Sequence, residues 1–131
     1  MKYLIIGLWF LAVLLTTGCK KSKTPAPLPD EPIVFTTDAA NTNTALANSF
    51  PVTVTLTSRM PVGGITISTT AAEQGTSTPI QQNNNIVTST AVNALQVINL
   101  PRQKWCTVTI KVTATNTPSN NATRTFDVAY K

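Results

Sequence analysis

The feature that most constrains this chain is a regular alternation of apolar and polar residues along short segments. Within residues 105–116, the even positions from Cys106 to Ala114 are apolar, and the odd positions from Thr107 to Thr113 are threonine or lysine. Successive side chains of a β-strand point to opposite faces, so a period of two predicts a half-buried strand. Residues 50–58 repeat the pattern, with apolar residues on one face and threonines on the other. Both segments therefore predict strands that each need a second layer to cover one face.

Shorter forms of this alternation occur in five further segments, which are 33–37, 64–69, 86–90, 94–100 and 123–130. Pro118–Asn121 lies between the last two strands and predicts a turn, because proline and asparagine favour turn conformations. Threonine-rich segments also form poor helices. About seven short strands separated by turn residues predict an all-β domain over residues 33–131, folded as an antiparallel β-sandwich.

The last two predicted strands resemble those of immunoglobulin-like and fibronectin type III domains. The resemblance rests on Leu100-Pro101, followed by the alternating run from Trp105 to Val112 and a hairpin to the final strand. Cys106 occupies the position where these families usually have tyrosine. The resemblance implies an immunoglobulin-like sandwich, but one that lacks both the tyrosine corner and the antibody-type disulfide.

The first 18 residues have the form of a signal peptide. Met1-Lys2 is followed by an unbroken apolar run of twelve residues from Leu4 to Leu15. That run is shorter than the 20 or so residues that a membrane-spanning helix needs, but it suits the apolar core of a signal peptide. We therefore predict export from the cytoplasm.

The residues that follow, Thr16-Thr17-Gly18-Cys19, resemble the lipobox of bacterial lipoproteins, although Thr16 stands where that family prefers leucine. The resemblance implies that Cys19 receives a diacylglyceryl group with acyl chains such as palmitate and that cleavage occurs just before it. An ordinary secretory signal would leave Cys19 unexplained, and an uncleaved anchor would need a longer apolar run. Both alternatives are disfavoured.

Residues 19–32 combine the predicted lipidated cysteine with a proline-rich tether. Four prolines within residues 25–32 favour an extended conformation, which reaches about 3.1 Å per residue. Lys20, Lys21 and Lys23 either contact anionic lipid headgroups or simply keep the spacer soluble. Both interpretations stay open.

The predicted location is the outer membrane. The residue after Cys19 is Lys20, and not an aspartate, which at this position would resemble the inner-membrane retention signal of enteric bacteria. The Gly-Cys-Lys-Lys start before a Thr/Asn-rich domain resembles lipoproteins of the Bacteroidetes. Whether the domain faces the periplasm or the cell exterior stays open.

Catalysis is not expected, because the chain has no histidine and its five carboxylates are scattered. No metal-binding spacing, phosphate loop or nucleophile motif occurs, so we expect neither cofactor nor metal. Cys106 alternates in phase with apolar residues and is predicted to be a buried, inert thiol. The net charge of +5 is spread along the chain rather than clustered with aromatic residues, which argues against nucleic-acid binding.

Trp105 is the candidate binding residue, because it should point away from the face that carries Cys106. It is either an exposed ring that stacks on a sugar or a protein, or it packs under a loop, and the second interpretation is favoured. The predicted function is a membrane-anchored, non-catalytic binding or accessory module for a glycan or an envelope protein. The alternative is a structural subunit of an envelope assembly, joined through an exposed strand edge.

Overall fold

The computed structural model describes residues 25, 26 and 28–131, and this part of the chain is all-β. The signal peptide and the lipobox residues Thr16, Thr17, Gly18 and Cys19 lie outside the described residues. Among the residues it does describe, no helix is long and apolar enough to cross a membrane. The described strands are β1 Phe35–Thr37, β2 Thr42–Ala45, β3 Phe50–Leu56, β4 Ile65–Glu73, β5 Pro79–Ile80, β6 Ile86–Thr88, β7 Val92–Val97, β8 Lys104–Ala114 and β9 Thr117–Tyr130.

These strands form two sheets. One has the order β1-β3-β7, and the other has the order β2-β9-β8-β4-β5, with β6 also paired to β4. All pairings are antiparallel except β2 with β9, which is parallel and departs from the predicted antiparallel arrangement. In the described part of the chain, one apolar core contains residues from both sheets, which is consistent with the predicted β-sandwich.

The alternation in the sequence matches the burial pattern of the two clearest strands. In β8, Cys106 and the four apolar residues at alternate positions up to Ala114 are fully buried. In β3, Val52, Val54 and Leu56 are buried while the intervening threonines are partly exposed. Burying each valine or isoleucine side chain contributes roughly 1.5–3 kcal/mol to the stability of the fold, so this pattern determines which face of each strand lies against the core.

The predicted turn at Pro118–Asn121 is wrong, because β9 already begins at Thr117. The chain reverses at Thr115 and Asn116 instead. Thr113 pairs with Asn121 and Ala114 pairs with Thr117, so three residues of β9 bulge out between these two pairs. Strand pairing on both sides of the bulge therefore incorporates the polar segment into the strand.

The end of the proline-rich segment lies against the sandwich. Asn120, in the β9 bulge, donates from Nδ2 to the carbonyl of Glu31 (2.8 Å) and accepts at Oδ1 from the amide of Ile33 (2.9 Å). The carboxylate of Asp30 accepts from the amide of Val62 (3.1 Å) in the β3–β4 connection. These contacts place residues 30–33 at the end of the sandwich that carries the β3–β4 and β8–β9 connections.

Candidate functional site

Trp105 is the second residue of β8, and its side chain is 44% exposed. The next residue, Cys106, points into the core and is fully buried. On the outer face, Trp105 lies opposite the buried Ala129 of β9. The structure therefore agrees with the interpretation of Trp105 as an exposed ring. It does not agree with the favoured interpretation, in which Trp105 packs under a loop.

Trp105 borders an open cleft of about 330 Å³ at the end of the six-stranded sheet, and this volume lies within the range of small-molecule sites. The lining residues are Gln103, Lys104, Trp105, Ala129, Tyr130 and Lys131. The cleft thus combines one large aromatic surface with a few polar and charged groups.

A chain of hydrogen bonds lies next to the cleft on the same outer face. Thr107, two residues along β8 from Trp105, donates to Oδ1 of Asp127 (3.0 Å). Gln74 donates from Nε2 to Oγ1 of Thr107 (3.1 Å). Alternate residues of a strand are about 6.6–6.8 Å apart, so the distance from Trp105 to this series of hydrogen bonds is about the width of one sugar ring. The hydrogen bonds orient the Asp127 carboxylate, which has further lone pairs to accept hydroxyl groups.

The sequence pattern points to Trp105 but not to Gln74, Thr107 and Asp127 as its neighbours. These three residues follow β4 or belong to β8 and β9, and only the registers of these strands bring them together. Their spacing in the sequence carries no signal of this proximity, because pairing across strands has no local periodicity.

Cys106 has the environment of a structural thiol. Burial raises its pKa above the ordinary value of 9.0, and the nearby Glu73 carboxylate raises it further, while Lys104 opposes the effect. Lys104 pairs with Glu73 at 2.5 Å between Nζ and Oε1. The prediction of a buried Cys106 is confirmed, and its raised pKa keeps it in the unreactive protonated form at neutral pH.

Over residues 25, 26 and 28–131, no group of three or more histidine, cysteine, aspartate or glutamate side chains is placed to hold a metal ion. The chain matches no family model, no curated protein and no solved structure.

Proposed function

We propose that this chain is a membrane-anchored lipoprotein of the cell envelope whose β-sandwich domain binds a glycan without catalysis. Its lipid is attached to Cys19, its signal peptide comprises residues 1–18, and its membrane is the outer membrane. The support comes from the lipobox-like sequence Thr16-Thr17-Gly18-Cys19 and from the exposed Trp105 cleft on the domain.

The domain is proposed to be immunoglobulin-like. In such sandwiches the first, second and fifth strands share one sheet, and the third, sixth and seventh share the other. Here β1, β3 and β7 form one sheet, while β4, β8 and β9 lie side by side in the other. This assignment leaves β6 in the place of the fourth strand, although β6 pairs with β4 rather than with β7.

The observation that carries the glycan proposal is an exposed tryptophan beside an oriented carboxylate. The face of an aromatic ring stacks against the C–H face of a sugar, and this contact removes apolar surface from water. Asp127 and the side-chain oxygen of Gln74 then accept hydrogen bonds from sugar hydroxyls. A protein partner would need a broader contact than this cleft supplies, so the glycan is the better occupant.

The test is binding of the full chain, in detergent micelles, to an array of immobilised bacterial polysaccharides. Trp105→Ala should weaken the binding about tenfold or more, because loss of the ring removes on the order of 1.5 kcal/mol of stacking. The processed protein would contain Trp105 as its sole tryptophan, since Trp9 lies in the predicted signal peptide. Quenching of tryptophan fluorescence by the bound polysaccharide should therefore report on the cleft directly.

The matched control is Val87→Ala, which removes an exposed apolar side chain at another position of the same sheet. Val87→Ala should leave polysaccharide binding unchanged. Equal losses in both variants, or full binding by Trp105→Ala, would place the glycan contact elsewhere and overturn the proposal.

A further inference from the structure

Strand β4 has a short unpaired gap along the edge that faces away from β8. β5 pairs with β4 as far back as Ala71, and β6 pairs with β4 as far forward as Ile67. Between them, residues 68–70 of β4 have no strand partner on this side in the part of the chain that the structure describes. The connection from β5 to β6 uses residues 81–85 to pass these three positions, so it bulges away from β4.

The backbone N–H and C=O groups of Thr69 point into this gap. The amide of Gln74, just after β4, donates to the carbonyl of Trp105 in β8 (2.9 Å). The amide of Glu73 donates in the opposite direction, to the carbonyl of Thr78 just before β5 (2.9 Å). Backbone groups alternate in direction along an antiparallel strand, so the odd-numbered residues of β4, including Thr69, point theirs away from β8. No residue of the described loops is bonded to the N–H or C=O of Thr69.

Two adjoining clefts open at this gap. Their volumes are about 350 Å³ and about 140 Å³, and Thr69 and Asn83 line both of them. All the lining residues are uncharged, and five of them have side-chain amides, which are Gln81, Gln82, Asn83, Asn84 and Gln96. A side-chain amide offers both hydrogen-bond donors and an acceptor. The clefts therefore place an unpaired backbone N–H and C=O beside several groups that bond in both directions.

The gap suits a ligand that accepts and donates hydrogen bonds from adjacent atoms, because Thr69 presents one donor and one acceptor. A carboxylate only accepts, and an ammonium group only donates. A trans peptide unit directs its N–H and C=O to opposite sides, so a peptide would need two successive units of an extended strand. Such a strand would run into β5 at one end of the gap and β6 at the other. Two hydroxyls on neighbouring carbons of a sugar meet the requirement, since each hydroxyl both donates and accepts.

Gln82 shows this form of recognition within the fold itself. The adjacent nitrogen and oxygen of its side-chain amide donate to the carbonyl of Ile98 (2.8 Å) and accept from the amide of Ile98 (2.9 Å). A pair of adjacent polar atoms thus satisfies the N–H and C=O of one residue without a neighbouring strand.

We propose that the clefts at Thr69 bind one neutral sugar unit of a glycan through two neighbouring hydroxyls. Further hydroxyls bond to the side-chain amides of Gln81 and Asn83. A neutral ligand suits the clefts because a charged group would leave water without meeting an opposite charge. The gap from Ile67 to Ala71 spans four residue steps, or about 13 Å, which accommodates a single ring.

This site is separate from the Trp105 cleft and does not depend on it. Thr69 lies five residues before Gln74, the residue whose amide bonds to Trp105, and this separation corresponds to about 17 Å of strand. The Trp105 cleft lies on the outer face of the six-stranded sheet, whereas the clefts at Thr69 open along the β4 edge.

The first test is NMR of the full chain in detergent micelles, titrated with the methyl glycosides of glucose, galactose and mannose. These probes are neutral and carry neighbouring hydroxyls. We expect at least one of them to shift the backbone amide signal of Thr69 and the side-chain amide signal of Asn83, with saturation. The permethylated form of the same glycoside has no hydroxyl to donate and should shift neither signal. No shift with any of the three, or equal shifts with the permethylated form, would overturn the proposal.

The second test compares two asparagines of the same connection. Asn83→Ala should raise the Kd of the glycoside about threefold to tenfold, because it removes hydrogen bonds to the ligand. Asn85→Ala is the matched control, since Asn85 is exposed and lines neither cleft. It should leave the Kd unchanged. Equal effects of the two changes would count against the site.

The third test removes the Thr69 N–H. Thr69→Pro should raise the Kd of the glycoside more than about tenfold, measured from the Asn83 signal. The strand should tolerate proline because this N–H points away from β8. Thr69→Val keeps the N–H and should bind the glycoside within about threefold of the original chain. Circular dichroism shows whether each variant folds, and if the proline variant does not, the two asparagine variants decide. A folded Thr69→Pro chain with the original Kd would contradict the proposal.

The indole signal of Trp105 separates this site from the proposed function. Shifts at Trp105 without shifts at Thr69 would overturn the Thr69 site and leave the glycan function standing. Shifts at Thr69 without shifts at Trp105 would support the Thr69 site and count against the Trp105 cleft. An uncharged peptide, acetyl-trialanine amide, should leave the Thr69 signal unchanged. If the peptide shifts that signal and the glycosides do not, the occupant is a peptide and the proposal is wrong.

Discussion

At the scale of the single residue, Cys106 shows how a core position determines chemistry. It is fully buried in β8, where it pairs with Val128 on one side and Glu73 on the other. Burial and the Glu73 carboxylate both disfavour the thiolate, and Lys104 only partly compensates. A thiol in these surroundings behaves as a small apolar side chain rather than as a nucleophile.

The raised pKa of Cys106 predicts a loss of stability at alkaline pH. The thiol has its ordinary pKa near 9.0 in the unfolded chain and a higher pKa in the folded protein. Below pH 9 both states keep the proton, so this contribution to stability is fully present. As pH rises, the unfolded chain releases its proton first, and the free energy of unfolding falls until the folded thiol also ionises.

Urea unfolding between pH 7 and pH 10 would measure this effect against Cys106→Ala. The variant should lose about 1 kcal/mol at neutral pH, because it leaves a small cavity. Its further loss above pH 9 should be smaller than that of the original protein, because the variant has no thiol at this position to ionise. Parallel pH profiles would show that Cys106 does not ionise differentially on unfolding.

At the scale of the element, the bulge in β9 makes contacts with the segment before β1. β9 has fourteen residues, more than any other described strand, and it pairs with β8 on both sides of the bulge. The bulge turns Asn120 toward the backbone of Glu31 and Ile33, which precede β1 by two to four residues. Ile33 is thereby held in the core, and the chain enters the sandwich along a defined path.

Asn120→Ala should loosen this entry without unfolding the domain. The two lost hydrogen bonds contribute about 0.5–1.5 kcal/mol each, so the stability should fall by roughly 1–3 kcal/mol. Hydrogen exchange at the Ile33 amide should become faster than in the original protein, and cleavage of residues 28–33 by a protease should increase. Asn85→Ala, an exposed change in the β5–β6 connection, should alter neither. Unchanged exchange at Ile33 would mean that Asn120 does not hold this segment.

At the scale of the whole molecule, the entry segment and the Trp105 cleft lie at opposite ends of β8. The amide of Thr115, just after β8, donates to the carbonyl of Gly64, in the connection that also contacts Asp30. Trp105 lies ten residues before Thr115, which corresponds to about 33 Å of extended strand. If the chain is anchored at Cys19 as proposed, the cleft points away from the entry of the tether. Tethering also raises the effective concentration for partners on the same membrane.

The anchor itself is tested by Cys19→Ala. This change should abolish labelling of the chain by radioactive palmitate and leave the precursor uncleaved, because the thiol that accepts the lipid is gone. Cys106→Ala serves as the matched control and should be labelled and processed as before. Normal processing of Cys19→Ala, with release of the chain from the membrane fraction, would show that residues 1–18 are an ordinary secretory signal.

The sequence by itself determined the all-β class, the faces of β3 and β8, and the burial of Cys106. These properties depend on the local alternation of apolar and polar residues, because folding buries the apolar face of each alternating segment. Seven of the nine described strands accordingly overlap the predicted segments. The short strands β2 and β5 have little alternation of their own and exist only through their partners β9 and β4.

Only the tertiary structure decided which residues meet across strands. The reversal at Thr115, the parallel pairing of β2 and the neighbours of Trp105 all depend on registers that no local pattern records. The border position of β7 arises in the same way, because β6 pairs with β4, and β3 is the strand that pairs with β7 among the described residues. Periodicity determines which side of a strand is buried, while long-range backbone pairing determines which strands lie beside it. The candidate site depends on this pairing, because its residues come from different strands.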